Sequence, residues 1–264
     1  MYWHASIPST SFHVATRCSP AVGRRRHAPY TSTPAMTISL PRRTAAPSRK
    51  QDSVYDTLLA RFASGIYRFG QPLQVRQIAL ETGASKHPIM SALKELCSHG
   101  FVRITAQVGC EVIAPEPAEI ADFFVMFSRM EGVMAEFAAR RRQPGDGDRL
   151  AAINGQIAKL PRRDPASGER YRLLNREFHA AIHQIGRSPA LHQRLVTQWA
   201  MSDFLISQSN EFARHLNEAT AEHAEIILAI ERGAASRART AMENHILGFR
   251  LKVLQQLDPS QDFR

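Results

Sequence analysis

Three histidines and one asparagine in the C-terminal half are the side chains best placed to do chemistry. Asn175 and His179 are four residues apart, so on a helix they share a face. His223, in AEHAEIILAI, lies on the side of Ile226, Ile227 and Ile230, and His245, in AMENHILGF, lies beside Met242, Ile246 and Phe249. One inward-facing imidazole on each of three helices would bring neutral nitrogens together. With an amide oxygen they suit zinc, nickel or a similar divalent ion. Taken singly, a histidine on an apolar face is more often a hydrogen-bonded core residue, and the spacing alone leaves both readings open.

The elements that must position these residues are helices. From Glu116 onward strand signals disappear. EPAEIADFFVMFSRMEGVMAEFAARRR reads as one helix, apolar at Phe123, Phe124, Phe127, Met130, Val133, Met134 and Phe137. QPGDGD breaks it. A short helix to about Lys159 follows, then one from about Glu169 to Gln184, one opened by Ser188-Pro189 and running to about Ser207, and two near 211–232 and 235–256. Short loops between six or seven helices imply an antiparallel all-α bundle over residues 116–256, with 257–264 as a tail.

Ahead of the bundle, LQVRQIALETGASKHPIMSALKEL reads as two short helices around a tight turn. Ile78 and Ala79 face inward on the first, and Ile89, Ala92, Leu93 and Leu96 recur at helical spacing on the second. Gly83 supplies the positive φ of the turn. Ser85 is placed to cap the second helix with its hydroxyl, and Pro88 falls in the first turn. This is the helix-turn-helix pattern, whose second helix enters the major groove of DNA. FVRITAQVGCEVIAP follows, with strand-forming residues either side of Gln107-Val108-Gly109. That predicts a two-stranded hairpin, hence a winged helix-turn-helix over 51–115, and a mainly α chain.

Residues 54–115 resemble the DNA-binding domain of the GntR family of bacterial transcription regulators. Gly65, Gly70, Leu73, Gly83, Ser85, Pro88, Ala92, Leu93, Leu96, Gly100 and Gly109 stand where that pattern wants them. The resemblance places Arg76, Ser85, Lys86, His87, Met90, Gln107 and Gly109 at DNA. The family's recognition helix usually opens S-R-T-P-x-R, whereas this chain reads Ser85-Lys86-His87-Pro88-Ile89-Met90. Lys86 keeps a cation but not the fork that grips guanine in two places, and Met90 replaces the second arginine. The family's usual operator preference therefore does not transfer.

Residues 117–250 resemble the FadR C-terminal domain (FCD) found behind this winged helix. Many such domains hold a metal through D-x-x-x-H, E-H and a final H. Here the matching residues are Asn175 and His179, then Glu222-His223, then His245. The resemblance thus implies a divalent metal, with zinc or nickel expected, on Asn175, His179, His223 and His245. Asparagine in place of aspartate gives a neutral, weaker oxygen ligand. His183, one turn on, is a substitute ligand or a pocket group. Effectors of such domains are small carboxylates, often helped by an arginine on the first helix. That place falls on Phe127, and Arg129 points about 200° around the helix from it. Capture by an arginine does not carry over, which leaves an effector held by the metal or a more apolar one.

The net charge of +10 is not evidence for DNA binding, because eight of the excess charges lie in residues 1–50, which hold eight Lys or Arg and no acid. That stretch lacks hydrophobic periodicity and reads as a disordered basic tail. A second start at Met36 makes residues 1–35 a candidate mis-assigned extension, to be checked by intact mass. Its lack of acids also suits an organellar transit peptide, against which the bacterial pattern downstream argues. No apolar run approaches the roughly 18–20 residues that cross a bilayer. Cys18, Cys97 and Cys110 form no metal spacing and no even set for bridges, as in a reducing cytoplasm.

These observations point to a ligand-responsive regulator binding an operator as a homodimer. The alternative is a helical metallohydrolase using a three-His site. It lacks a committed general base, since Glu177 points off the ligand face and Glu222 adjoins a ligand rather than opposing it. A third reading is a sequence-indifferent DNA binder acting through the tail.

Overall fold

The computed structural model describes residues 49–257 except 162, 163, 165, 210 and 211. The expectations for the basic tail, the Met36 start and residues 258–264 lie outside these. Helix α1 (Arg49–Ala63) buries Val54, Tyr55, Leu58, Leu59 and Phe62, one face of a 3.6-residue period. Helix α2 (Val75–Thr82) stops at Gly83, whose φ of 66° lets its N–H bond back to the Ala79 carbonyl at 2.9 Å. Helix α3 (Lys86–Ser98) then turns Ile89, Ala92, Leu93 and Leu96 wholly inward. Ser85 stands at the N-cap with extended backbone, but its hydroxyl makes no capping bond, contrary to expectation.

The wing is larger than a hairpin. Strands β2 (Val102–Thr105) and β3 (Gly109–Val112) pair antiparallel, Val102 opposite Val112 and Thr105 opposite Gly109. A third strand, β1 (Pro72–Leu73), adds to the other edge of β3, giving the order β1-β3-β2. Two residues are too few to show the alternation by which a strand is recognised in sequence.

The rest is a six-helix all-α bundle. Helix α4 (Pro117–Arg141) opens with a reciprocal cap between Glu116 and Glu119 and with Pro117 in its first turn. It is followed by α5 (Asp146–Ala158), α6 (Ser167–Gly186), α7 (Pro189–Ser209), α8 (Phe212–Glu231) and α9 (Ala235–Leu257). Helix α4 packs on α9 and α6, and α8 packs on α5 and α9.

One hydrophobic cluster runs from the winged helix into the bundle, and α7 carries it across. The Phe204 ring packs on Phe62, Phe69 and Phe101, with centroids 5.2, 5.4 and 6.0 Å away. One turn on, the Gln208 side chain accepts from the Phe69 N–H at 3.2 Å and donates to the Tyr67 carbonyl at 3.1 Å. Arg68 Nη1 donates to the Ser207 carbonyl at 3.1 Å. Gly65 has a φ of 71°, and a Cβ there would stand 2.9 Å from Ser207 Cβ. Nothing in the local sequence announced this seam.

Candidate metal centre and nucleic-acid interface

His179 comes from α6, His223 from α8 and His245 from α9. All three are buried, and one ring nitrogen of each lies within 4.8 Å of the others. His179 Nε2 is 3.4 Å from His245 Nε2. Two nitrogens bound tetrahedrally at about 2.0–2.1 Å from one ion would stand about 3.3 Å apart.

The other side of each ring is pinned. Nδ1 of His179 is 2.9 Å from Glu131 Oε2, that of His245 is 2.6 Å from Glu222 Oε2, and that of His223 is 3.2 Å from Asn154 Oδ1. Each Nδ1 donates its proton to an oxygen acceptor, so each Nε2 keeps a lone pair. This is how metal-bound histidines are oriented. Apolar rings complete the walls. Phe178 stacks on His223 at 4.0 Å, and Trp199 lies 4.4 Å from the ring centre of His179.

Asn175, one turn before His179 on α6, is also buried. Its Oδ1 has no hydrogen-bond partner among the described residues. An unsatisfied buried carbonyl is costly unless something accepts its lone pair. Together with the three imidazoles it makes a donor set that fits a divalent cation.

Glu131, on α4, organises this shell. It is fully buried and accepts from His179, from His183 Nε2 at 2.8 Å and from Trp199 Nε1 at 2.8 Å. Burial works against its charge, but His183 and the hydrogen bonds from both histidines outweigh it and hold the carboxyl well below the usual carboxylate range. Burial in turn lowers His179 to about 4, against the pull of Glu131, so at neutral pH it is the uncharged ring that a metal needs. A signal for Glu131 existed in the sequence, as an acid four residues after Phe127 on an otherwise apolar face. Asn154 and Trp199 carried none.

The residues named for an effector separate. Phe127 is buried, its ring edge-on to Trp199 at 5.1 Å, and His183 bonds Glu131 and meets His192 Nδ1 at 3.1 Å. Arg129 is on another side of α4, largely exposed and paired with Glu243 of α9.

On the winged helix, Ser85, Lys86 and His87 are exposed at the start of α3, and Arg76 is exposed on α2. Neither Arg76 nor Lys86 has an ion-pair partner among the described residues. Met90 is half-buried and packs on the core. Gln107 (φ 63°) and Gly109 form the exposed wing tip, where Val108 is 83% exposed.

Two family models match this chain. Residues 50–112 fit the bacterial regulatory proteins of the gntR family, and residues 122–248 fit the FCD domain. The chain belongs to the GntR family. An uncharacterized HTH-type transcriptional regulator in an unstable DNA locus of Streptomyces ambofaciens is 24% identical over 190 residues, covering 67% of this chain and 73% of that protein. A probable D-xylose utilization operon transcriptional repressor of Paenarthrobacter nicotinovorans is 21% identical over 204 residues, covering 74% of this chain and 85% of its own length. Among solved structures, E. coli McbR/YncC superposes with a TM-score of 0.67 at 16% identity, covering 80% of this chain and 100% of that one. A putative GntR regulator from Rhodococcus sp. RHA1 gives 0.61 at 16%, covering 78% and 98%. The protein is a transcription regulator of the GntR/FCD type and not an enzyme. Among the described residues, no helix is long and apolar enough to cross a membrane.

Proposed function

We propose that this regulator binds an inverted-repeat operator in the cytoplasm as a homodimer. Residues 51–115 read the DNA, and residues 116–256 hold a divalent metal and a small effector. The observation that carries the metal is the convergence of three imidazole nitrogens, each ring fixed from behind, beside the orphaned Asn175 oxygen. His179, His223, His245 and Asn175 are the ligands. A nitrogen-rich set of this kind favours zinc or nickel over magnesium or calcium. The ion supplies a charge to which a small carboxylate effector can attach.

Two features support the dimer and the coupling. Phe123, Met126, Met130, Val133 and Phe137 recur at alternating steps of three and four along α4 and are all at least partly exposed, a seam suited to a second copy. Helix α7 carries Trp199 beside the His179 ring and, five residues later, Phe204 between the rings of the winged helix. An effector that shifts Trp199 thereby acts on the head, provided it binds the two arrangements with different affinity. At the DNA, Arg76, Ser85 and Lys86 engage phosphate or base edges, with His87 and Met90 beside them and Gln107 and Gly109 in the wing.

Selection of bound sequences from a random duplex library at near-physiological salt tests the reading. An enriched inverted repeat is expected, and its spacing measures the distance between the heads. Absence of enrichment by a folded, metal-loaded protein would sink it.

A further inference from the structure

Helices α8 and α9 line an open surface cleft of about 490 Å³ that runs from the turn joining them back to His245 and Glu222. That volume falls in the range of small-molecule sites, about 300–1,000 Å³. Its floor is apolar and low, set by Leu228, Ala229, Ala234 and Ala241. Its charges are segregated. Glu222 and Glu225 stand toward one end, and Arg232 and Arg237 stand at the other.

Neither guanidinium, nor the Glu225 carboxylate, has an ion-pair or hydrogen-bond partner among the described residues. Several other arginines of the bundle are engaged: Arg129 and Arg239 with Glu243, Arg140 with Glu136, and Arg172 and Arg176 with Asp203. Two arginines and an acid, each without a side-chain partner among the described residues, thus line a single cleft, where one ligand carrying both charges would engage all three.

We propose that this cleft is a second small-molecule site, separate from the metal, and that it takes a linear zwitterion. The ligand's ammonium meets Glu225 and its carboxylate meets Arg232 and Arg237, with a slender chain along the alanine floor. Glu225 and Arg232 are seven residues apart on α8, a rise of about 10 Å at 1.5 Å per residue. The ligand's charges must span a comparable distance, as in a tripeptide, whose extended chain covers about 10 Å, or a medium-length ω-amino acid. Glycine is too short. Glu222 lines the cleft while holding His245 Nδ1, so occupancy touches the shell that orients a metal ligand. The site does not depend on the operator or effector assignments above.

Calorimetric titration of the full-length, metal-loaded protein with 8-aminooctanoate, triglycine, glycine and octanoate tests this. The two long zwitterions should bind at least tenfold more tightly than glycine or octanoate. The double substitution Arg232→Ala, Arg237→Ala and the single Glu225→Gln should each lose at least tenfold, with unchanged circular dichroism and metal content. Binding of octanoate as tight as that of 8-aminooctanoate would overturn the assignment. So would failure of both long probes, or binding that survives the substitutions.

Discussion

At the start of α3 the side chains proposed to meet DNA stand in solvent with no partner among the described residues, whereas in the bundle the His179, His223 and His245 rings are each fixed from behind by an oxygen acceptor. Lys86 has no ion-pair partner among the described residues; His179 touches Glu131, Trp199 and His245 at once. The difference follows from what each site meets. A duplex is large and charged, and its contacts can repay the ordering of long side chains at the moment of binding. A single ion offers only a few bonds, so its ligands must be ordered beforehand by the fold. On the proposed assignments, substitution should therefore cost little at the first site and much at the second.

The largest expected effect tests the rigid half. His179→Ala should take bound divalent metal, measured by elemental analysis after dialysis, from about one per chain to background, while the winged helix keeps its fold. Retention of a full equivalent would remove His179 from the ligand set. At the seam between the two regions, Phe204→Ala should cost about 3–5 kcal/mol in denaturant unfolding, since it empties a pocket lined by three other rings. Glu131→Gln keeps the shape but not the charge, and should weaken metal affinity by about 10- to 100-fold in a chelator competition. Lys86→Ala, on the adaptable half, should reduce operator affinity by about tenfold and leave metal content unchanged. Loss of metal in that variant would break the division between the two sites.

The smallest effect is on pH. His99 accepts or donates at Nδ1 with the Tyr55 hydroxyl at 2.8 Å, and burial lowers its pKa despite the nearby Glu95. A histidine easier to protonate unfolded than folded adds stability above its ordinary value near 6.5, and loses it as pH falls below that. The urea midpoint should therefore drop between pH 7.5 and 5 by more in the native protein than in His99→Gln. Equal drops would show that other groups carry the dependence.

How far the sequence disclosed these sites depended on the range of the forces that build them. The helix-turn-helix was readable because its determinants are local: Gly83 ends α2, and Ile89, Ala92, Leu93 and Leu96 lie within eight residues. The three histidines were found through family spacing and the apolar faces that carry them. The role of Glu131 behind His179 and His183 is not legible in the sequence, because its partners are 48, 52 and 68 positions away. Only the folded bundle brings them together. Strand β1 was missed because a two-residue element has no periodicity. The hydroxyl cap assigned to Ser85 failed because side-chain rotation, unlike the extended N-cap backbone, is not fixed by residue type.

Gly65 has one more consequence. Its α-carbon faces Ser207 so closely that even a methyl group would collide, while Phe204 needs the particular hollow made by Phe62, Phe69 and Phe101. The winged helix is therefore not an interchangeable cartridge. A hybrid regulator made by splicing a foreign head onto this bundle would inherit a mismatched joint unless it also carried glycine at 65 and an aromatic socket for α7. Recombination between such genes should preserve these residues as a set, whatever DNA the new head reads.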